Sequence, residues 1–208
     1  MTSGISNEIL DLRHFAAPLL RPLLEAESEV WLQRLHWDYR TSAKLLMQYL
    51  DSHMLPGYAA LEGGRVTGYA FCVYVETKAV IGDVFAFTLS SETAARERPL
   101  WTLSGAGVEE QPAREVEQTL LRHLFETLQN SPHVDRIESQ LLLHPSGAHS
   151  ATFREAGFEV YRRLFMVQPL AGAAWSMPRV ELPPELEIRP WRDEDLNAAG
   201  RLISEAYA

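Results

Sequence analysis

Between Gly57 and Leu89 the chain reads "GYAALEGGRVTGYAFCVYVETKAVIGDVFAFTL", and this stretch restricts the fold more than any other. It is rich in β-branched and aromatic residues, which suit a pleated, half-buried surface. Glu62-Gly63-Gly64-Arg65 is a hairpin signal between two strands. In "VTGYAFCVYV" both faces are apolar, so that strand belongs in the middle of a sheet. "AVIGDVFAFTL" reads as a third strand.

The flanks have a different periodicity. "EILDLRHF" (8–15) reads as a short first strand, and residues 16–52 as two helices with a break near Trp37–Thr41. In "QPAREVEQTLLRHLFETL" the residues Val116, Leu120, Leu121, Leu124 and Leu128 form one apolar stripe, which predicts a helix over 112–129 with Pro112 just inside its start. "VDRIESQLLL" (134–143) is expected as a strand, "SGAHSATFREAG" (146–157) as a short helix closed by Gly157, and "FEVYRRLFMVQPL" (158–170) as a last strand. Residues 90–115 are too long for a structureless connection. They hold either an added element such as "PLWTLSGAGV" or a mobile functional loop.

The 208 residues suffice for one domain with a core and some remainder. With 46% hydrophobic and 23% charged residues the composition is that of a soluble globular chain. A net charge of −9, with no basic block, argues against nucleic acid and anionic membranes as partners. The single cysteine, Cys72, leaves no internal disulfide and sits in an apolar run, where a buried thiol is expected. The first residues lack the apolar core of a signal peptide, and no window reaches the length of a membrane span, so the cytoplasm is the expected compartment.

A segment rich in Ala and Pro, "AGAAWSMPRVELPPE" (171–185), reads as a linker. After it the N-terminal pattern returns: "LEIRPWRDEDLNAAGRLISEAYA" reads as a strand, a turn and a helix capped by Asp193 or Asp195. The expected organisation is a domain over 1–170, the linker, and the truncated start of a second domain over 186–208.

This order of elements resembles that of the GCN5-related N-acetyltransferases (GNAT). Three segments carry the resemblance: "ALEGGRVTGYAFCVY", "AREVEQTLLRHL" and "FREAGFEVYRR". The segment 186–208 is similar to the opening of another such domain, as in a tandem protein. The resemblance implies an α+β fold, with a mostly antiparallel mixed sheet flanked by helices. It also implies acetyl-CoA as cosubstrate, in a cleft where the fourth and fifth strands part. The pantetheine amides would pair with the fourth strand, and the pyrophosphate would rest on the helix start. An amine of a small molecule or peptide would attack the thioester.

The site residues follow by position. Val108, Arg114, Glu115, Val116 and Glu117 stand at the cofactor-binding positions, and Asp83 where some members keep a general base. Several depart from the pattern. Glu115 and Glu117 replace two glycines that let backbone approach phosphate, Pro112 replaces the first Arg or Gln, and Phe153 replaces a tyrosine that protonates the leaving thiolate. At about 6 Å and an effective dielectric near 20, each carboxylate–phosphate pair would cost roughly 3 kcal/mol. The fourth strand has two registers, "VIGDVFAF" with Asp83 or "LWTLSGAGV" with Val108.

Other constellations are bland. The seven histidines show no zinc spacing; His144 and His149 are too few and lack partners, and no metal is expected. His36–Arg40 reads as a turn between helices, Glu76 as a solvated strand end, and Trp31, Tyr49 and Tyr69 as core. Two functions follow. One is an acetyl-CoA-dependent N-acetyltransferase, with this module degenerate. The other is a non-catalytic GNAT-like module that supports or regulates a partner domain, or forms a homodimer through a sheet edge.

Overall fold

The computed structural model describes residues 8–87, 110–144, 147–166 and 183–206. The chain divides into two units, Met1–Val167 and Gln168–Ala208.

The first unit is built on one five-stranded sheet in the order β1-β2-β3-β4-β5. Its strands are β1 (Glu8–Asp11), β2 (Gly57–Glu62), β3 (Arg65–Val75), β4 (Lys78–Ala86) and β5 (Arg136–Ser139). The first four pair antiparallel, and β5 joins β4 in parallel. The α+β class and the mostly antiparallel sheet expected from the sequence are both present. Helices α1 (Ala17–Leu35) and α2 (Arg40–Asp51) precede β2, α3 (Glu110–Gln129) links β4 to β5, and α4 (Ser150–Glu155) follows.

Alternation along β3 divides the core. Tyr69 and Phe71 face α1 and α2, where they join Leu20, Leu23, Leu24, Trp31, Leu46 and Leu50. Ala70 and Cys72 face α3 and meet Leu120, Leu121, Leu124, Phe125 and Leu128. Small residues on that face bring α3 close to the sheet. A β-carbon on Gly68 would lie 2.8 Å from Ala86 Cβ and 3.0 Å from Val116 Cγ1. Gly68→Val is therefore expected to push α3 off the sheet and cost about 1–3 kcal/mol, the usual penalty of overpacking. Urea unfolding checks this; an unchanged midpoint would mean that α3 does not press on β3.

Several boundaries differ from expectation. The first strand stops at Asp11, whose carboxylate accepts the Arg13 N–H at 2.9 Å and turns the chain into a 3-10 helix, Leu12–His14. The strand expected over 134–143 is only β5: the Asp135 N–H meets Thr77 O just before it, and pairing with β4 ends at Ile81↔Ser139. Residues 158–166, read as a last strand, have no ladder partner among the described residues, and Tyr161, Leu164 and Met166 are exposed. Tyr49, read as core, is on the outer face of α2. The segment 88–109, with both readings of its role, lies outside the described residues.

The second unit is described over 183–206. Residues 186–192 form no strand; a 3-10 turn, Asp193–Asp195, leads into α5 (Leu196–Ala206). Asp195 accepts the Arg192 N–H at 3.0 Å and pairs with Arg189 at 2.7 Å, and this pairing holds its carboxyl below the usual range. No residue of α5 is buried. Among the described residues no helix is long and apolar enough to cross a membrane.

Candidate functional site

The site is set by where β4 and β5 part. Their pairing ends at Ile81↔Ser139, while β4 continues to Ala86. Beyond the last pair, the groups of Val84 and Ala86 on this edge are met by side chains. His144 Nε2 donates to Val84 O at 2.7 Å, and the Ala86 N–H donates to Glu117 Oε1 at 3.2 Å. A carbonyl only accepts, so the His144 proton sits on Nε2.

Glu117 reaches this edge because it lies on the inner stripe of α3, one turn before Leu120 and Leu121. It is 8% exposed. Its second oxygen, Oε2, stands 3.2 Å from His149 Nε2 and 3.7 Å from His144 Nδ1. The two rings meet edge to face, with His149 Nε2 3.2 Å from His144 Nδ1. His149 is buried just ahead of α4, and its Nδ1 has no hydrogen-bond partner among the described residues.

His144 also reaches toward α1. Its Nε2 lies 3.7 Å from Asp83 Oδ1. Asp83 is 3% exposed and accepts the Val84 N–H at 2.8 Å. Next to it Glu27 is fully buried on α1, where it accepts from Trp31 Nε1 at 3.2 Å and from the Tyr69 hydroxyl. Burial first, and then the neighbouring Asp83 charge, raise the Glu27 carboxyl well above the ordinary value. Burial also raises the Tyr69 hydroxyl, which therefore stays a donor. For His144 burial opposes the charged form most strongly of any single influence. Asp83, Glu117 and the Val84 carbonyl together outweigh it and raise the ring's pKa. Glu27, Asp83, His144, Glu117 and His149 thus form a buried polar chain from α1 to α4 past the open edge of β4.

The residues singled out from sequence are distributed as follows. Asp83 is inside this chain, as is Glu117. Val116 packs against the α3 core, Arg114 is half-buried, and Glu115 is exposed in the second turn of α3, which begins at Glu110, before the expected 112. Of the two registers, "VIGDVFAF" falls within β4, whereas Val108 and "LWTLSGAGV" lie outside the described residues. Phe153 packs in an aromatic cluster, 4.9 Å from Phe125 and 5.1 Å from Phe158. Cys72 is buried, which pushes its thiol up to about 11. Tyr39 stacks on Trp31 at 4.9 Å, so the His36–Arg40 segment serves partly as a core anchor.

Sequence reasoning missed His144, His149 and Glu27. His144 and His149 lack a partner only in sequence; Glu117 supplies one in space. A signal did exist. Glu117 shares the stripe of Leu121, Leu124 and Leu128, and Glu27 that of Leu20, Leu24 and Trp31. A carboxylate on an apolar stripe must find partners once buried.

No family model and no curated protein matches the chain. Solved structures give weak likenesses. A probable acetyltransferase aligns with 81% of this chain and 99% of its own, at TM-score 0.46 and 15% identity. A ribosomal-protein-alanine N-acetyltransferase from Brucella melitensis biovar Abortus 2308 aligns with 78% and 98%, at 0.44 and 9%. An aminoglycoside N-acetyltransferase in complex with CoA aligns with 82% and 99%, at 0.41 and 14%. These neighbours are acetyltransferases, similar to this chain in structure at low sequence identity.

Proposed function

We propose that residues 8–166 are a GNAT-type module whose acyl-CoA cleft is filled by its own side chains, so that it supports or regulates an acetyl-CoA-dependent N-acetyltransferase domain instead of transferring acetyl itself. One observation carries the reading: Val84 O and the Ala86 N–H, on the edge where β4 leaves β5, are held by His144 and Glu117. A pantetheine chain pairing there would displace a buried carboxylate and a buried imidazole. Each such group left unpaired costs about 1–3 kcal/mol, more when charged. Glu115 adds an exposed negative charge in the second turn of α3. On this reading residues 171–185 are a linker between domains.

Calorimetric titration of the full chain with acetyl-CoA tests the proposal. No saturable binding is expected below about 1 mM, equivalent to −4.1 kcal/mol. The double variant Glu115→Gly, Glu117→Gly should bind at least about tenfold tighter, a gain of 1.4 kcal/mol, although each Gly costs the helix roughly 1 kcal/mol. Tight wild-type binding left unchanged by the double substitution would overturn the proposal. It would favour a second reading, an active N-acetyltransferase acting on a small-molecule or peptide amine. The observation behind that reading is the Asp83–His144 pair, a carboxylate and an imidazole 3.7 Å apart beside the open strand edge. Such a pair is suited to take a proton from an attacking amine.

A further inference from the structure

Three ligand-type atoms lie close together beside the edge of β4 that β5 leaves. Glu117 Oε2 and His149 Nε2 are 3.2 Å apart, His149 Nε2 and His144 Nδ1 3.2 Å, and His144 Nδ1 and Glu117 Oε2 3.7 Å. We propose that Glu117, His144 and His149 bind a zinc ion through these three atoms.

The spacing is the first argument. Zinc bonds imidazole nitrogen and carboxylate oxygen at about 2.0–2.2 Å, which sets the ligand atoms of a tetrahedral ion about 3.3 Å apart. The observed separations bracket that value. The second argument is proton placement. His144 Nε2 donates to Val84 O, so the neutral ring turns a lone pair on Nδ1 toward the centre. Glu117 Oε2 is an acceptor as well. Without a cation a single proton, on His149 Nε2 or on His144 Nδ1, has to serve all three atoms. With a cation all three lone pairs point at positive charge.

The outer contacts are the third argument. Ligating histidines usually give their other N–H to a carbonyl or carboxylate, and ligating carboxylates are themselves hydrogen-bonded. Here His144 Nε2 is held by Val84 O and Glu117 Oε1 by the Ala86 N–H. Two imidazoles and one carboxylate suit zinc far better than magnesium or calcium, which prefer all-oxygen sites. The ion would tie α3 to the segment ahead of α4 and leave a fourth position for water or another ligand. Two of its ligands are the side chains that hold the edge of β4, so the site rests on the reading above that the cleft is filled from within.

The test uses the full 208-residue chain, stripped with a chelator and titrated with zinc sulfate in the absence of CoA. One equivalent should bind and raise Tm. Loss of an outer partner costs about 10–100-fold in affinity, so Glu117→Gln and His149→Ala, which remove ligands, should each cost more. His133→Ala, at an exposed site, should cost nothing. Magnesium sulfate should not bind. Should a variant fail to fold, nitrogen NMR of wild-type histidines decides, since zinc should shift His144 Nδ1 and His149 Nε2. Failure to bind one equivalent, binding that survives both ligand substitutions, or ring nitrogens unmoved by zinc would each overturn the proposal, leaving a proton on His144 as the occupant of the triad.

Discussion

Leu124→Ala is expected to lower the free energy of unfolding by about 2–5 kcal/mol, the range for truncating a fully buried leucine. Leu124 is 1% exposed and sits midway along α3, on the face packed against β2, β3 and β4. Its neighbours include Ala70 and Cys72 of β3, small residues that cannot grow into the space. The cavity should therefore persist, which places the loss toward the upper part of the range. The effect should extend to the site, because α3 also carries Glu117. A lower urea midpoint at unchanged slope is the expected result. A loss below 1 kcal/mol would mean that α3 is not seated as described.

The second large effect is a dependence on pH. Glu27 has its folded-state pKa raised well above the ordinary 4.5, by burial first and by Asp83 next. A carboxyl whose folded pKa is raised contributes stability that is fully present below the unfolded pKa and is lost as pH rises through the folded one. Between 4.5 and the raised value, the wild type should thus lose up to about 1.4 kcal/mol per pH unit relative to a variant that cannot ionise. Glu27→Gln keeps one acceptor, for Trp31 Nε1, and sets its amide N–H against the Tyr69 hydroxyl, which can accept as well as donate. It should match the wild type at acid pH and exceed its stability increasingly as pH rises. Thermal unfolding of both proteins along a pH series measures the difference; a flat difference would mean that Glu27 is ionised in the fold.

What was legible in the sequence follows from periodicity. The doubly apolar run around Tyr69 announced a central strand, and the stripe from Val116 to Leu128 announced α3, because covering a sheet from both faces requires those patterns. Segments whose structure depends on a distant partner were misread. Residues 158–166 have strand-like composition, but composition does not supply an edge to pair with. The site was half legible. The resemblance puts Glu117 in place of a glycine at a helix start, where it would repel a phosphate. Its burial shows that its carboxylate faces the edge of β4. His144 and His149 are separated from it by more than a turn of any single element, so no local spacing could link them. Their meeting is a product of the β4–α3–β5 crossover, which places α3 over the same edge that β5 leaves open.

The central claim is that the edge of β4 is satisfied from within, and the amide of Ala86 reports on it directly. Hydrogen exchange at that amide, followed by NMR with and without acetyl-CoA, should be slow in the free protein, close to the protection of the β3 core, since the N–H is held by the buried Glu117 carboxylate. Adding acetyl-CoA should leave the rate unchanged. Rapid exchange of Ala86 in the free protein that becomes slow on adding acetyl-CoA would contradict the account, because it would show an open strand edge that takes the cosubstrate.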